Sequence, residues 1–187
     1  IVYADFNYDL LTSLMLVYRV ISYVEGYSCY SNLQGITFGL NESNENGSYL
    51  ESLIKIRTSG IGDEVKRRFV IGAYLTAKEN YGNLTLAARS IRRQVQEIEM
   101  DVLKEGDCIL MPSVSGVAPD INNPHEQSIY DNWLMISNFS GTPSITIPFS
   151  SLHSLPYGLT ISTDIYSDMK LLQIAYTLEE KIGDNYE

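Results

Sequence analysis

Three consecutive cations, Lys66, Arg67 and Arg68, follow two acids in the stretch RTSGIGDEVKRRFVIGAY, residues 57–74. A guanidinium is a planar fork that grips a carboxylate through two parallel hydrogen bonds, a geometry that lysine lacks. On a helix beginning at Asp63, Arg67 and Arg68 point about 100° apart. Only one of them can turn inward beside the apolar residues Val65 and Phe69. The segment therefore reads either as a carboxylate clamp or as a solvated helix face, and these residues alone leave both open.

Other chemistry is sparse. There is no Gly-x-Gly-x-x-Gly, no phosphate-binding P-loop and no His-Glu-x-x-His. His125 and His153 fall in polar loops and read as solvated. The run PFSSLHS lacks the glycine-rich elbow that exposes a serine nucleophile. Cys29 and Cys108 lie far apart and form no Cys-x-x-Cys, so reduced thiols of a cytoplasmic protein are expected. The sequons at Asn41, Asn46, Asn83 and Asn138 read as chance. The net charge of −10 argues against general binding to nucleic acid or acidic lipid. No apolar run reaches the roughly 18 residues of a membrane helix.

The elements that must position any site follow from periodicity. Leu10, Leu14, Val17, Ile21 and Val24 step by four and three, which predicts a helix over 6–30 with one buried face. GITFGL at 35–40 reads as a strand or extended turn, and 41–51 as an exposed loop. Gly60 and Gly62 are expected to give the backbone freedom for a tight helix entry. Asp63 and Glu64 then suit the positive end of a helix running from 63 to about 80. Leu84, Ala88, Ile91, Val95, Ile98 and Val102 predict a second amphipathic helix over 83–104. Residues 107–113 read as a buried strand and 126–139 as helical. Strands are expected at 144–148 and 157–163, the second joined to the first as a hairpin or crossover. Ser167 is placed as the N-cap of a final helix whose inner face is Leu171, Ile174, Ala175, Leu178 and Ile182. Mixed helices and short apolar strands point to an α/β class with a small sheet buried between helices.

The segments RTSGIGDEVKRRFVIGAY, ILMPS, NFSGTPSITIP, LPYGLTI and LLQIAYTLEE occur in this order. Together they resemble the C-terminal part of the amidase signature family, over about residues 18–181. Gly-x-Gly-x-Glu-Val-Lys-Arg-Arg followed by Gly-x-Tyr is similar to the branch formed by the glutaminase (A) subunits of tRNA-dependent amidotransferases. The resemblance implies an α/β/α sandwich with a mixed sheet covered by helices. Residues 1–187 would be the C-terminal portion of a single amidase domain, with the N-terminal strands and catalytic portion absent. It implies a Ser–cis-Ser–Lys triad in a segment upstream of Ile1, which nothing here matches, so no catalytic residue is assigned.

The same resemblance implies that Tyr18, Arg68 and Asp131 bind the substrate, glutamine. Arg68 would pair with the α-carboxylate, Asp131 with the α-ammonium, and the Tyr18 hydroxyl would add a hydrogen bond. Arg67 would then be solvated. The activity implied is release of ammonia from glutamine to convert Glu-tRNA(Gln) or Asp-tRNA(Asn). The implied partners are subunits B and C of the amidotransferase and, through the complex, charged tRNA. ATP and Mg²⁺ would be used by a partner protein of the complex, with no cofactor, metal or membrane for this chain. The alternatives are a stand-alone amidase for another amide and a non-catalytic scaffold. The isolated 187-residue chain is expected to release no ammonia from glutamine. Turnover abolished by substitution of any residue here would overturn that expectation.

Overall fold

A computed structural model of the chain describes residues 1–35, 37–41, 47–122, 129–152 and 154–183. In order, they form α1 (Tyr8–Tyr30), α2 (Tyr49–Gly60), α3 (Asp63–Thr76), a single turn α4 (Lys78–Asn80) and a π-helical turn (Tyr81–Thr85). Then come α5 (Leu86–Leu103), β1 (Ile109–Pro112), a 3₁₀ turn (Ile129–Leu134), α6 (Met135–Ser140), β2 (Ser144–Leu152), β3 (Leu155–Ser162) and α7 (Asp168–Ile182). The chain divides into two compact units, Val17–Arg89 and the combination of Ile1–Leu16 with Ser90–Glu187. No helix among the described residues is long and apolar enough to cross a membrane.

α1 bears out the periodicity, with one shift. Leu11, Leu14, Val17, Ile21 and Val24 are buried, and Leu10 is half-buried. Asn7 starts the helix, its Oδ1 accepting from the backbone N–H groups of Asp9 and Leu10 at 2.9 and 3.2 Å.

In the helical unit, Val17–Arg89, residues 37–39 make bends rather than a strand. Gly35 and Gly39 sit at φ 75° and 92°, where the chain turns instead of extending. The expected loop ends early, because Ser48 caps α2 and Glu51 closes a reciprocal capping box with it. Residues 42–46 of that loop lie outside the described residues. Arg57 donates from Nη2 to the Ser31 carbonyl at 2.9 Å, tying α2 to the end of α1.

Gly60 and Gly62 do not serve as expected. Gly62 has φ −67°, which any residue adopts, and a Cβ at either glycine would meet open space. The glycine that matters is Gly72. A Cβ there would strike the Tyr23 carbonyl oxygen and the Tyr27 Cβ, so its absence lets α3 cross α1 at backbone distance.

α3 stops at Thr76 rather than near 80 because its last carbonyls find other donors. Asn80 Nδ2 donates to the Tyr74 carbonyl at 2.9 Å, and the buried Thr85 hydroxyl donates to that of Leu75 at 2.9 Å. Through the π-helical turn, the buried stripe leading into α5 becomes Thr85, Ala88, Val95 and Glu99, while Leu84 is left exposed.

The second unit holds an antiparallel sheet in the order β1–β3–β2. β2 and β3 form the hairpin, longer at the turn end than expected. A bulge between Pro148 and Ser150 falls where proline lacks the N–H needed by the ladder. β1 is an edge strand in which Met111 is buried but Leu110 is exposed, so the expected fully buried strand is corrected to a half-buried one. The expected helix at 126–139 is a 3₁₀ turn followed by α6, and residues 126–128 lie outside the described residues. Ser167 precedes α7, as expected, but its side chain makes no capping bond.

The hairpin's two faces differ in chemistry. Ile147 and Ile161 pack with Leu171 and Ala175 of α7, flanked by Ile145, Leu159, Ile174, Leu178 and Ile182. Alternation puts Thr146 and Thr160 on the other face as a direct cross-strand pair. Their hydroxyls are 2.9 Å apart, and Ser113 Oγ lies 2.8 Å from Thr160 Oγ1. Gly158 belongs to this polar face. A Cβ there would come within 2.7 Å of Thr146 Cγ2 and 2.9 Å of Ser113 Oγ.

Beside this face Glu99 is 2% exposed. Its Oε1 accepts from Thr142 Oγ1 at 3.1 Å and Ser162 Oγ at 3.5 Å, while its buried Oε2 has no hydrogen-bond partner. Burial pushes this carboxyl above the ordinary glutamate range, and the hydroxyls of Ser140, Thr142 and Ser162 only partly oppose it.

Two outcomes are expected. Gly72→Ala should destabilise the fold by about 1–3 kcal/mol in urea unfolding through overpacking, although alanine favours a helix by about 1 kcal/mol. A neutral or stabilising effect would contradict the close crossing. For Glu99, the unfolded group ionises near its ordinary value while the folded group keeps its proton to higher pH. The folded state then binds more protons between the two values, and stability falls as pH rises through that window. Glu99→Gln should flatten this decline in unfolding midpoints measured upward from pH 4. Parallel declines in the two proteins would show that Glu99 does not titrate this way.

Candidate functional site

The α1–α3 crossing shapes a cavity of about 200 Å³ within the helical unit. From α1 it is lined by Tyr18, Ser22, Gly26 and Tyr30, four residues apart on one face, with Tyr27 beside them. From α3 come Val65, Arg68 and Phe69. Tyr27 meets the Phe69 ring edge-on at 6.1 Å, and Tyr30 lies tilted at 6.3 Å. One wall is thus aromatic, and beside it stands one permanent positive charge.

Of the three cations that opened the sequence reading, Lys66 has partners of its own and the two arginines share Glu64. Lys66 Nζ donates to the Thr58 carbonyl of α2 at 2.9 Å and pairs with Asp63 at 3.3 Å. Arg67 Nη1 lies 3.4 Å from Glu64 Oε2, with its side chain 71% exposed. Arg68 Nε lies 3.5 Å from Glu64 Oε1, with its side chain 55% exposed. Arg68 lines the cavity and Arg67 does not, which is the division expected for adjacent residues on a helix.

The structure brings Tyr18 and Arg68 to one cavity. Asp131 sits in the 3₁₀ turn of the other unit, and its side chain lies outside the described residues. The turn itself is anchored within its own unit. Asn132 Nδ2 donates to the Leu11 carbonyl at 3.0 Å, and Trp133 meets Phe6 edge-on at 5.2 Å. The next helix, α6, is held by Arg92 Nε and Gln96 Nε2, which donate to the Phe139 carbonyl at 2.9 and 2.7 Å. His125 and His153 lie outside the described residues.

Sequence reasoning passed over Ser22, Gly26, Tyr27, Tyr30 and Phe69 as cavity residues, and Glu64 as a partner of both arginines. A signal was present in the four-residue spacing of Tyr18, Ser22, Gly26 and Tyr30, which lies beside the apolar stripe and not within it.

An arginine and a tyrosine lining one cavity suit capture of a small carboxylate. Residues 2–172 match the Amidase family model, and the chain belongs to the amidase family. It is 38% identical to the A subunit of the glutamyl-tRNA(Gln) amidotransferase of Mycoplasma genitalium, over 98% of this chain and 40% of that protein. To its counterpart of the same name in Mycoplasma pneumoniae it is 37% identical, over 94% of this chain and 38% of that one. It thus spans about 40% of the length of these relatives.

Solved structures share the fold. A crystal structure of the glutamyl-tRNA(Gln) amidotransferase A subunit from Thermotoga maritima matches 87% of this chain and 33% of its own, with a TM-score of 0.51 and 22% identity. A peptide amidase from Stenotrophomonas maltophilia matches 91% of this chain and 34% of its own, with a TM-score of 0.61 and 20% identity. The α/β class read from the sequence holds, for a part of the amidase fold. The three described strands pair antiparallel throughout.

Proposed function

We propose that this chain is the C-terminal portion of the glutaminase subunit of a tRNA-dependent amidotransferase, and that it binds the glutamine head group. The observation that carries this reading is the 38% identity to an amidotransferase A subunit over 98% of the chain. The cavity shared by Tyr18 and Arg68 supports the site. Free glutamine presents an α-carboxylate and an α-ammonium. Arg68 takes the carboxylate, Tyr18 adds a hydrogen bond, and Asp131 takes the ammonium. These contacts orient the side-chain amide toward a serine nucleophile supplied by the rest of the protein. The serine forms an acyl-enzyme and releases ammonia. Partner subunits B and C bind the charged tRNA and use ATP and Mg²⁺ to accept that ammonia.

The fold alone is shared with amidases of other substrates, as the peptide amidase shows. Arg68 is the feature that favours the glutaminase reading, because an amide substrate without a carboxylate leaves its fork unused.

In the full-length, assembled enzyme, Arg68→Lys should raise the glutamine KM about ten- to a hundredfold. That corresponds to losing one hydrogen bond to a charged group, about 1.5–3 kcal/mol. Asp131→Asn should act in the same direction, and Arg67→Lys should do much less. Ammonia supplied directly bypasses glutamine capture, so ammonia-dependent transamidation separates a lost pocket from a lost fold. Glutamine kinetics untouched by Arg68→Lys would refute the assignment.

A further inference from the structure

Glu64 stands one turn before both arginines on α3 and divides its carboxylate between them. Oε1 faces Arg68 Nε at 3.5 Å, and Oε2 faces Arg67 Nη1 at 3.4 Å. A guanidinium can offer a two-point grip from the edge that includes Nε or from the edge formed by its two Nη atoms. We propose that Glu64 is a positioning residue that occupies Arg68 at Nε and turns the paired Nη edge toward the cavity, and that Arg67 in turn holds Glu64. This rests on reading Arg68 as the carboxylate-binding residue.

Electrostatics explains why the arrangement uses two arginines. A lone Glu64–Arg68 pair would be neutral, and its carboxylate would compete with an incoming one. With Arg67 on the other oxygen, the trio keeps one net positive charge beside the cavity. Lys66 cannot take Arg67's place, because it is engaged with Thr58 and Asp63. Among the described residues, Glu64 is the ion-pair partner of both arginines. Arg67, expected from the sequence to be merely solvated, thereby acquires an indirect role.

The test is steady-state glutamine kinetics of the full-length, assembled enzyme carrying Glu64→Gln, Arg67→Gln, Arg68→Lys, or Glu64→Gln with Arg68→Lys. Glu64→Gln and Arg67→Gln should each raise KM about two- to fivefold with little change in kcat, the range expected when an exposed ion pair is lost. The effect should shrink at 0.5 M salt, a condition of the assay, as screening weakens the pairs. Glu64→Gln should have no further effect in the Arg68→Lys background, where there is no Nε to hold.

A purely structural role for Glu64 would persist in that background. Persistence there, an unchanged KM in both Glu64→Gln and Arg67→Gln, or a lowered KM in Glu64→Gln would each overturn the proposal. Arg67→Gln probes the same arrangement without altering Glu64, should Glu64→Gln fold poorly. If Arg68→Lys raises KM while the other two variants do not, only this inference falls. If Arg68→Lys itself has no effect, the underlying site reading falls with it.

Discussion

The helical unit depends on one missing methyl group. With hydrogen at the Gly72 side-chain position, α3 lies against the backbone of α1 at Tyr23 and Tyr27. Arg68 and Phe69 stand four and three residues before Gly72, about one helical turn, so that single crossing fixes where they emerge. It sets Phe69 against Tyr27 and Tyr30, and Arg68 on the cavity that Tyr18 also lines. A wider crossing would open the aromatic wall and carry the guanidinium away from the tyrosine. Lys66 steadies the same geometry from the other side, by fastening the first turn of α3 to the last turn of α2.

The sheet unit is organised by a different constraint, the two-residue alternation of the β2–β3 hairpin. One face sends isoleucines and leucines under α7. The other carries threonine and serine hydroxyls that satisfy one another across strands. Thr142 and Ser162 extend this polar character to Glu99. A buried acid is costly unless hydrogen-bonded or neutral. Here burial holds the proton more tightly than in an ordinary glutamate, and the hydroxyls that serve one oxygen only partly offset it while the other oxygen has no partner.

Much of this was legible in the sequence where burial follows a simple period. The α1 stripe from Leu14 to Val24 and the α7 face from Leu171 to Ile182 were read correctly because each packs one continuous side. α2 was missed because its polar, Asn-rich approach resembles a loop, although Ser48 and Glu51 spell a capping box. The stripe into α5 was misread at its start because the π-helical turn buries Thr85 and exposes Leu84. Hydropathy would not choose a threonine over a leucine, and only its hydrogen bond to the Leu75 carbonyl explains the choice. Glu99 defeated the pattern for a related reason. The hydroxyls that make its burial tolerable come from the end of α6, the segment after it and β3, far away in sequence. The site itself was half legible. Arginine chemistry and helical spacing narrow the choice to one of Arg67 and Arg68, and only the family resemblance selects Arg68, whereas its link to Glu64 needed the rotamers of three side chains.

Gly158, Thr146 and Ser113 occupy a single small volume, although 45 residues separate the first from the last. A side chain at 158 cannot grow unless Thr146 and Ser113 shrink or a strand moves. Variation at these positions is therefore epistatic: a larger residue at 158 becomes acceptable in a background reduced at both 146 and 113. Randomising position 158 alone would return mostly glycine, whereas randomising all three together would reveal alternative ways of filling the same space.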